Sequence, residues 1–100
     1  MLSDISFLET VKKNILIHTS SQNFCCHKKM CDFEKVLGDR NFYRCHKCYM
    51  INLDYVDSVT MQDIILTTGE TIPISKYRKD AFMKRIAEYV CENVGLEADK

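Results

Sequence analysis

The chain has 100 residues, about the size of one domain with a modest hydrophobic core. Its 14 basic and 14 acidic residues cancel, and its 46% apolar and 28% charged residues are ordinary for a soluble globular protein. No apolar run is long enough for a transmembrane helix, and the N-terminal segment lacks the apolar core of a secretory signal. These features predict a cytoplasmic protein, or a domain cut from one.

The first part of the chain predicts short strands joined by tight turns, followed by a helix. Alternating apolar and polar residues predict strands at 4–9, 15–19 and 24–27. The connection 10–14 has hairpin length and is polar and basic at its tip. Apolar residues at helical spacing predict a short helix at about 30–37, and Gly38 is a natural stop.

The most informative stretch is the run 42–52, Phe-Tyr-Arg-Cys-His-Lys-Cys-Tyr-Met-Ile-Asn. It places Arg44, His46 and Lys47 among apolar residues and contains no acidic residue. A strand with a purely structural role seldom carries so much basic and polar character. We therefore interpret the run as a binding surface mounted on a rigid strand.

The remaining residues predict three more strands and a C-terminal helix. The strands are expected at 56–60, 64–67 and 71–74, and Pro73 marks the last of them as an edge. Ser75 can cap a helix from about 76 to 93, with a buried stripe at Phe82, Ile86, Tyr89 and Val90. We predict a mainly β domain over residues 1–94 and a flexible tail at 95–100.

The charges are segregated along the chain although their sum is zero. Basic residues cluster at 12–13, 40–47 and 76–85, whereas the acidic residues of 53–75 have no basic neighbour within that segment. A protein whose positive charges are clustered can present a positive face to a polyanion even when its net charge is zero. The alternative is that these residues are ordinary solvated surface charges. Lys76, Arg78 and Lys79 would lie in the first helical turn, where the dipole is positive and a phosphate would relieve the repulsion.

Six cysteines raise the possibility of a metal or redox site. Cys45 and Cys48 have Cys-x-x-Cys spacing, and Cys25, Cys26, His27 and Cys31 could supply further zinc ligands. No glycine is available to form a zinc knuckle in the run 42–52, so small, buried, reduced cysteines are favoured. Cys45 lies between Arg44 and His46, which suggests a redox-sensitive thiolate.

Three blocks stand out by their order and spacing: Asp-Ile-Ser-Phe-Leu-Glu at 4–9, the run 42–52, and Gly-Glu-Thr-Ile-Pro-Ile-Ser-Lys-Tyr-Arg at 69–78. Together they resemble the LytTR (LytR/AgrA-type) DNA-binding domain of bacterial response regulators. Lys47 stands where the family often has Arg, and Cys48 where it usually has Ser.

The resemblance implies an elongated arrangement of small antiparallel β-sheets whose loops enter successive grooves of double-stranded DNA. The groove-facing candidates that it implies are Lys12, Lys13, Asn14, Lys47, Lys76, Tyr77 and Arg78. It assigns Arg44 and His46 to phosphate contacts or to support of their loop. It also implies a sequence-specific output domain of a two-component system, without enzymatic activity, attached to a receiver domain. Dimers on direct-repeat half-sites are a further expectation.

Two other classes of function remain open from the sequence. One is a zinc-stabilised protein-interaction module built on the cysteine and histidine clusters. The other is a peptide-binding β domain that uses an exposed edge strand. The sequence contains no phosphate-binding glycine loop and no paired carboxylate motif, and it therefore does not favour an enzyme or a bound cofactor.

Overall fold

The computed structural model describes residues 4–38 and 41–94. The chain forms a mainly β fold with two antiparallel sheets and two helices, as predicted. The elements in chain order are β1 (Ile5–Val11), β2 (Asn14–Thr19), β3 (Asn23–Cys26), α1 (Met30–Leu37), β4 (Phe42–His46), β5 (Tyr49–Asn52), β6 (Val56–Val59), β7 (Asp63–Leu66), β8 (Thr71–Pro73) and α2 (Lys79–Val94). The tail predicted at 95–100 and Arg40 of the second basic cluster lie outside the described residues.

The larger sheet has five strands in the order β3-β2-β1-β5-β4, and the smaller sheet has three in the order β6-β7-β8. Every neighbouring pair is antiparallel. The molecule measures 45 × 29 × 26 Å along its principal axes, so it is elongated as expected.

The middle strands of the large sheet are covered on both faces. Consecutive strand residues point to opposite faces, so Leu8 and Met50 pack against α1 while Phe7 and Ile51 face the small sheet and α2. On that second side Phe82 of α2 is fully buried. Burial on both sides explains the high apolar content of these strands and holds the sheet rigid beneath its turns.

The run 42–52 forms a hairpin and not the single strand expected from the sequence. β4 and β5 pair antiparallel, with a tight turn at Lys47 and Cys48. The register shifts between Tyr43 and His46, which is the mark of a β-bulge or irregularity. His46 closes the turn, because its Nδ1 accepts a hydrogen bond of 3.1 Å from the backbone N–H of Cys48. A side-chain acceptor thus stabilises a turn that contains no glycine.

The C-terminal helix begins at Lys79, three residues later than predicted. Residues 76–78 form a turn in which the backbone N–H of Arg78 donates to the carbonyl of Ser75 at 3.0 Å. The N–H of Ser75 itself donates to the carbonyl of Cys45 at 2.9 Å, and this bond ties the turn to β4. Lys76 and Arg78 therefore precede the helix, and only Lys79 of the three cations lies in its first turn. The predicted buried stripe is also wrong at Val90, which is 46% exposed.

Candidate nucleic-acid interface

Antiparallel pairing brings the β1–β2 turn and the β4–β5 turn to one end of the large sheet. Glu9 near the end of β1 pairs with Tyr49 at the start of β5, and the N–H of Thr10 donates to the carbonyl of Cys48 at 2.8 Å. β3 ends at the same place, because Cys26 pairs with Ile15 at the start of β2. We call this the basic end and define it by five lysines: Lys12, Lys13, Lys28, Lys29 and Lys47.

The β1–β2 turn presents two exposed lysines, as the sequence predicts. Lys12 and Lys13 form a two-residue connection, and Lys12 has a left-handed φ of 58°. Asn14 is half-buried, and its Oδ1 lies 2.7 Å from Nδ1 of His27. The side chain of Asn14 therefore links the turn to the segment that follows β3.

Arg44 and His46 support the β4–β5 turn through contacts within the protein. Arg44 donates from Nη1 to Oε1 of Glu34 at 3.1 Å and from Nη2 to the carbonyl of Lys47 at 3.0 Å. The ring of His46 stands edge-on to that of Tyr49, with centroids 5.7 Å apart. Lys47 is left exposed at the tip of the turn.

The third predicted cluster is divided: Lys76 and Arg78 lie in the turn before α2, which contacts β4, whereas Lys79, Lys84 and Arg85 lie in α2. Tyr77 is 94% exposed, and Lys76 is also exposed. Arg78 is half-buried, and its Nη1 donates to the carbonyl of Arg44 at 3.1 Å. Lys79 donates from Nζ to the carbonyl of Met61 at 2.9 Å, so the turn between β6 and β7 adjoins the same corner.

Parts of the three basic clusters lie next to one another in the structure. Arg44 joins the second cluster to the third through its carbonyl, while the β4–β5 turn lies beside Lys12 and Lys13. Lys28 and Lys29 were missed by the sequence analysis, which weighed their neighbours only as metal ligands. The adjacent pair of lysines was visible in the sequence, but its position depends on the pairing of β3 with β2.

The hypothesis of a redox-sensitive Cys45 is wrong. Its side chain is fully buried in the cluster that contains Phe82, and burial raises the pKa of the Cys45 thiol to about 12. Desolvation of the thiolate outweighs the attraction of the nearby Arg78. The prediction that most cysteines are buried is wrong too, because one of the six, Cys45, is buried, two are exposed and three are partly buried.

The cysteines do not converge on a metal site in the part of the chain that the structure describes. All six are free thiols, and no group of three or more His, Cys, Asp or Glu side chains there is placed to hold an ion. Over the same residues, neither helix combines the length and apolar character that crossing a bilayer requires.

Comparison with known proteins identifies the family. The LytTr DNA-binding domain family matches residues 1–87. A solved structure from Bacillus cereus, described as the LytTr DNA-binding domain of a methyl-accepting/DNA response regulator, superposes with a TM-score of 0.75 and 22% sequence identity. The match covers 82% of this chain and 80% of that one. No curated protein sequence matches significantly. On the family match, this chain belongs to the LytTR family of DNA-binding domains.

Proposed function

We propose that this domain binds double-stranded DNA sequence-specifically and regulates transcription as the output domain of a two-component response regulator. The observation that carries this proposal is the convergence of the two lysine turns at one end of the sheet, with the Tyr77 turn held against the adjoining strand. These elements rest on a sheet that is packed on both faces, which favours a preorganised interface.

The exposed lysines supply affinity in this proposal. Lys12, Lys13 and Lys47 extend from turns, where each ammonium group can neutralise a DNA phosphate and release a condensed counterion. Lys76 does the same from the third turn. Phosphate contacts of this kind carry no sequence information, so they set the position of the domain on the duplex.

Base recognition is assigned to groups that can enter a groove. Tyr77 projects a nearly fully exposed ring and hydroxyl, and Lys47 can donate to the O6 and N7 atoms of guanine from its turn. A lysine presents one point charge and lacks the planar fork of arginine, so the preference for guanine is weaker than arginine would give. Arg44, His46 and Arg78 act mainly through the turns that they hold, and Asn14 through its link to His27.

The wider context of the proposal follows the family. A receiver domain in a longer parent protein would control this module, and two copies would bind direct-repeat half-sites in the cytoplasm. In this proposal the site recognises DNA and catalyses no reaction, so its activity is measured as the fraction of DNA bound.

Selection from random duplexes, followed by salt titration of the winning sequence, tests the proposal. We expect a preferred sequence, and we expect Lys47→Gln to reduce the slope of log K against log salt by about 0.9. Tyr77→Ala should leave that slope unchanged and relax the preference at one base pair, at a cost of about 1–3 kcal/mol.

Lys84→Gln is the matched control, because it removes one exposed lysine from α2. Its affinity and salt slope should equal those of the unaltered domain. The proposal fails if no sequence is enriched and if Lys47→Gln and Lys84→Gln behave alike.

A further inference from the structure

A cavity of about 510 Å³ opens at the basic end, between the start of α1 and the two turns of the large sheet. Most of the surface exposed in it is apolar, although five of its ten lining residues are cationic. The thiols of Cys31 and Cys48 line it over Ile15 and Met30, which are both buried. The volume lies within the roughly 300–1,000 Å³ range of small-molecule sites, which are typically apolar with a few polar groups. A phosphate group is smaller than this cavity and would make no use of its apolar surface.

The charged residues that line the cavity are all cationic. Arg44 is one of them, and Glu34 compensates it through a contact of 3.1 Å. The others have no ion-pair partner among the described residues: Lys13, Lys28, Lys29 and Lys47. The first turn of α1 also lies at the cavity, but Asp32 in that turn accepts a hydrogen bond from the backbone N–H of Lys29 and offsets the helix dipole, so the lysines supply the positive potential.

We propose that this cavity binds a small amphiphilic anion, a medium-chain organic carboxylate. Its apolar chain lies on the two thiols, above the buried side chains of Ile15 and Met30, and its carboxylate lies among the lysines. An inorganic anion would leave the apolar lining unused, and a neutral apolar compound would leave the lysines uncompensated. The chemistry of the lining therefore selects a ligand with both parts.

Ligand binding would oppose DNA binding. Lys13 and Lys47 line the cavity and also belong to the proposed DNA surface, so a bound carboxylate neutralises charge that the phosphates require. This second consequence depends on the proposed function, whereas ligand binding itself does not. The site would make the domain responsive to an organic acid in addition to any signal from a receiver domain.

The test measures binding of decanoate to the whole chain by calorimetry and amide chemical shifts, without DNA and below the concentration of micelle formation. We expect shifts at Ile15 and Cys48, and a Kd about 16-fold lower for decanoate than for octanoate, which is two CH₂ groups shorter, since each buried CH₂ strengthens binding about fourfold. Decyltrimethylammonium, with the same chain and opposite charge, should bind at least tenfold more weakly than decanoate.

A matched pair of variants localises the ligand. Cys31→Glu adds a carboxylate to the lining at the start of α1, where the helix dipole tolerates it, and should weaken decanoate binding at least fivefold. Cys25→Glu adds the same charge on the exposed edge strand β3, outside the lining, and should change little.

Three results would overturn the proposal: equal affinities for decanoate and octanoate, equal shifts with inorganic phosphate alone, or equal effects of the two variants. The effect on DNA is measured separately, by fluorescence anisotropy of a duplex with decanoate present. If decanoate binds but the Kd for DNA does not change, the ligand site stands and the proposed opposition between ligand binding and DNA binding is refuted. Failure of DNA binding without decanoate would instead refute the proposed function.

Discussion

Arg44→Met separates two roles that the sequence leaves open for Arg44, direct contact with phosphate and support of the β4–β5 turn. Methionine keeps the apolar length of the side chain and removes the guanidinium with both of its bonds, to Glu34 and to the carbonyl of Lys47. If Arg44 only supports the turn, its replacement makes the position of Lys47 less well defined. The number of phosphate contacts then stays the same.

The expected loss of stability in Arg44→Met follows from how exposed the partners of Arg44 are. Glu34 is 44% exposed, so its ion pair contributes at most about 1 kcal/mol to stability. The hydrogen bond to the carbonyl of Lys47 contributes about 0.5–1.5 kcal/mol. We expect a loss of about 1–2 kcal/mol in the free energy of unfolding and a threefold to tenfold rise in the Kd for DNA.

Fluorescence anisotropy over a range of salt concentrations provides the assay, with urea unfolding to show that the variant is folded. The slope of log K against log salt should match that of the unaltered domain, whereas Lys47→Gln should reduce it by about 0.9. Glu34→Gln is a further control: it weakens the ion pair and keeps the bond from Arg44 to Lys47, so the Kd should change less than twofold. A slope reduced by about 0.9 in Arg44→Met would refute the supporting role and assign Arg44 to a phosphate.

Three further predictions concern the core. Phe82→Ala should lower the free energy of unfolding by about 3–5 kcal/mol in urea, because Phe82 is fully buried between α2 and the sheets; a loss below about 1 kcal/mol would contradict that packing. Asn52→Ala should cost about 2 kcal/mol in the same assay, because its amide joins the carbonyl of Ile5 to the N–H of Asp54; stability equal to the unaltered domain would show those bonds to be dispensable. Burial raises the pKa of Cys45 from 9.0 to about 12, so its contribution to stability is complete below pH 9 and falls by up to about 1.4 kcal/mol per pH unit from there towards pH 12. Urea titrations from pH 8 to 11 should show a steeper alkaline loss in the unaltered domain than in Cys45→Ala, and parallel losses would argue against a buried thiol.

The local elements of this fold were largely predictable because their signals are local. Helical spacing of Met30, Phe33 and Leu37 predicted α1 with its observed bounds. The sequence pattern also predicted every strand to within two residues except β4 and β5, which were expected as one strand. The start of α2 was not predictable in the same way. Ser75 reads as a helix cap, but its N–H is bound to Cys45 of a distant strand, and that bond turns the chain before the helix begins.

The candidate site shows the same division. Lys12, Lys13 and Lys47 stood out as basic residues in turns or strands, and three ordered blocks, at 4–9, 42–52 and 69–78, predicted the family. Lys28 did not stand out, because no local pattern reports that β3 ends beside the β1–β2 turn. Cys45 was misread for a related reason: adjacent charges in sequence suggested a reactive thiolate, whereas burial decides its pKa.

From the sequence alone, the mainly β class, most of the strands, α1, the basic clusters and the family were determined, because each depends on neighbouring residues or on an ordered motif. The tertiary structure alone decided that Lys13, Lys28 and Lys47 surround one cavity and that Arg44 joins two turns. The physical reason is that strand pairing sets distances between residues far apart in the chain, and these distances determine which charges meet and which thiol is desolvated.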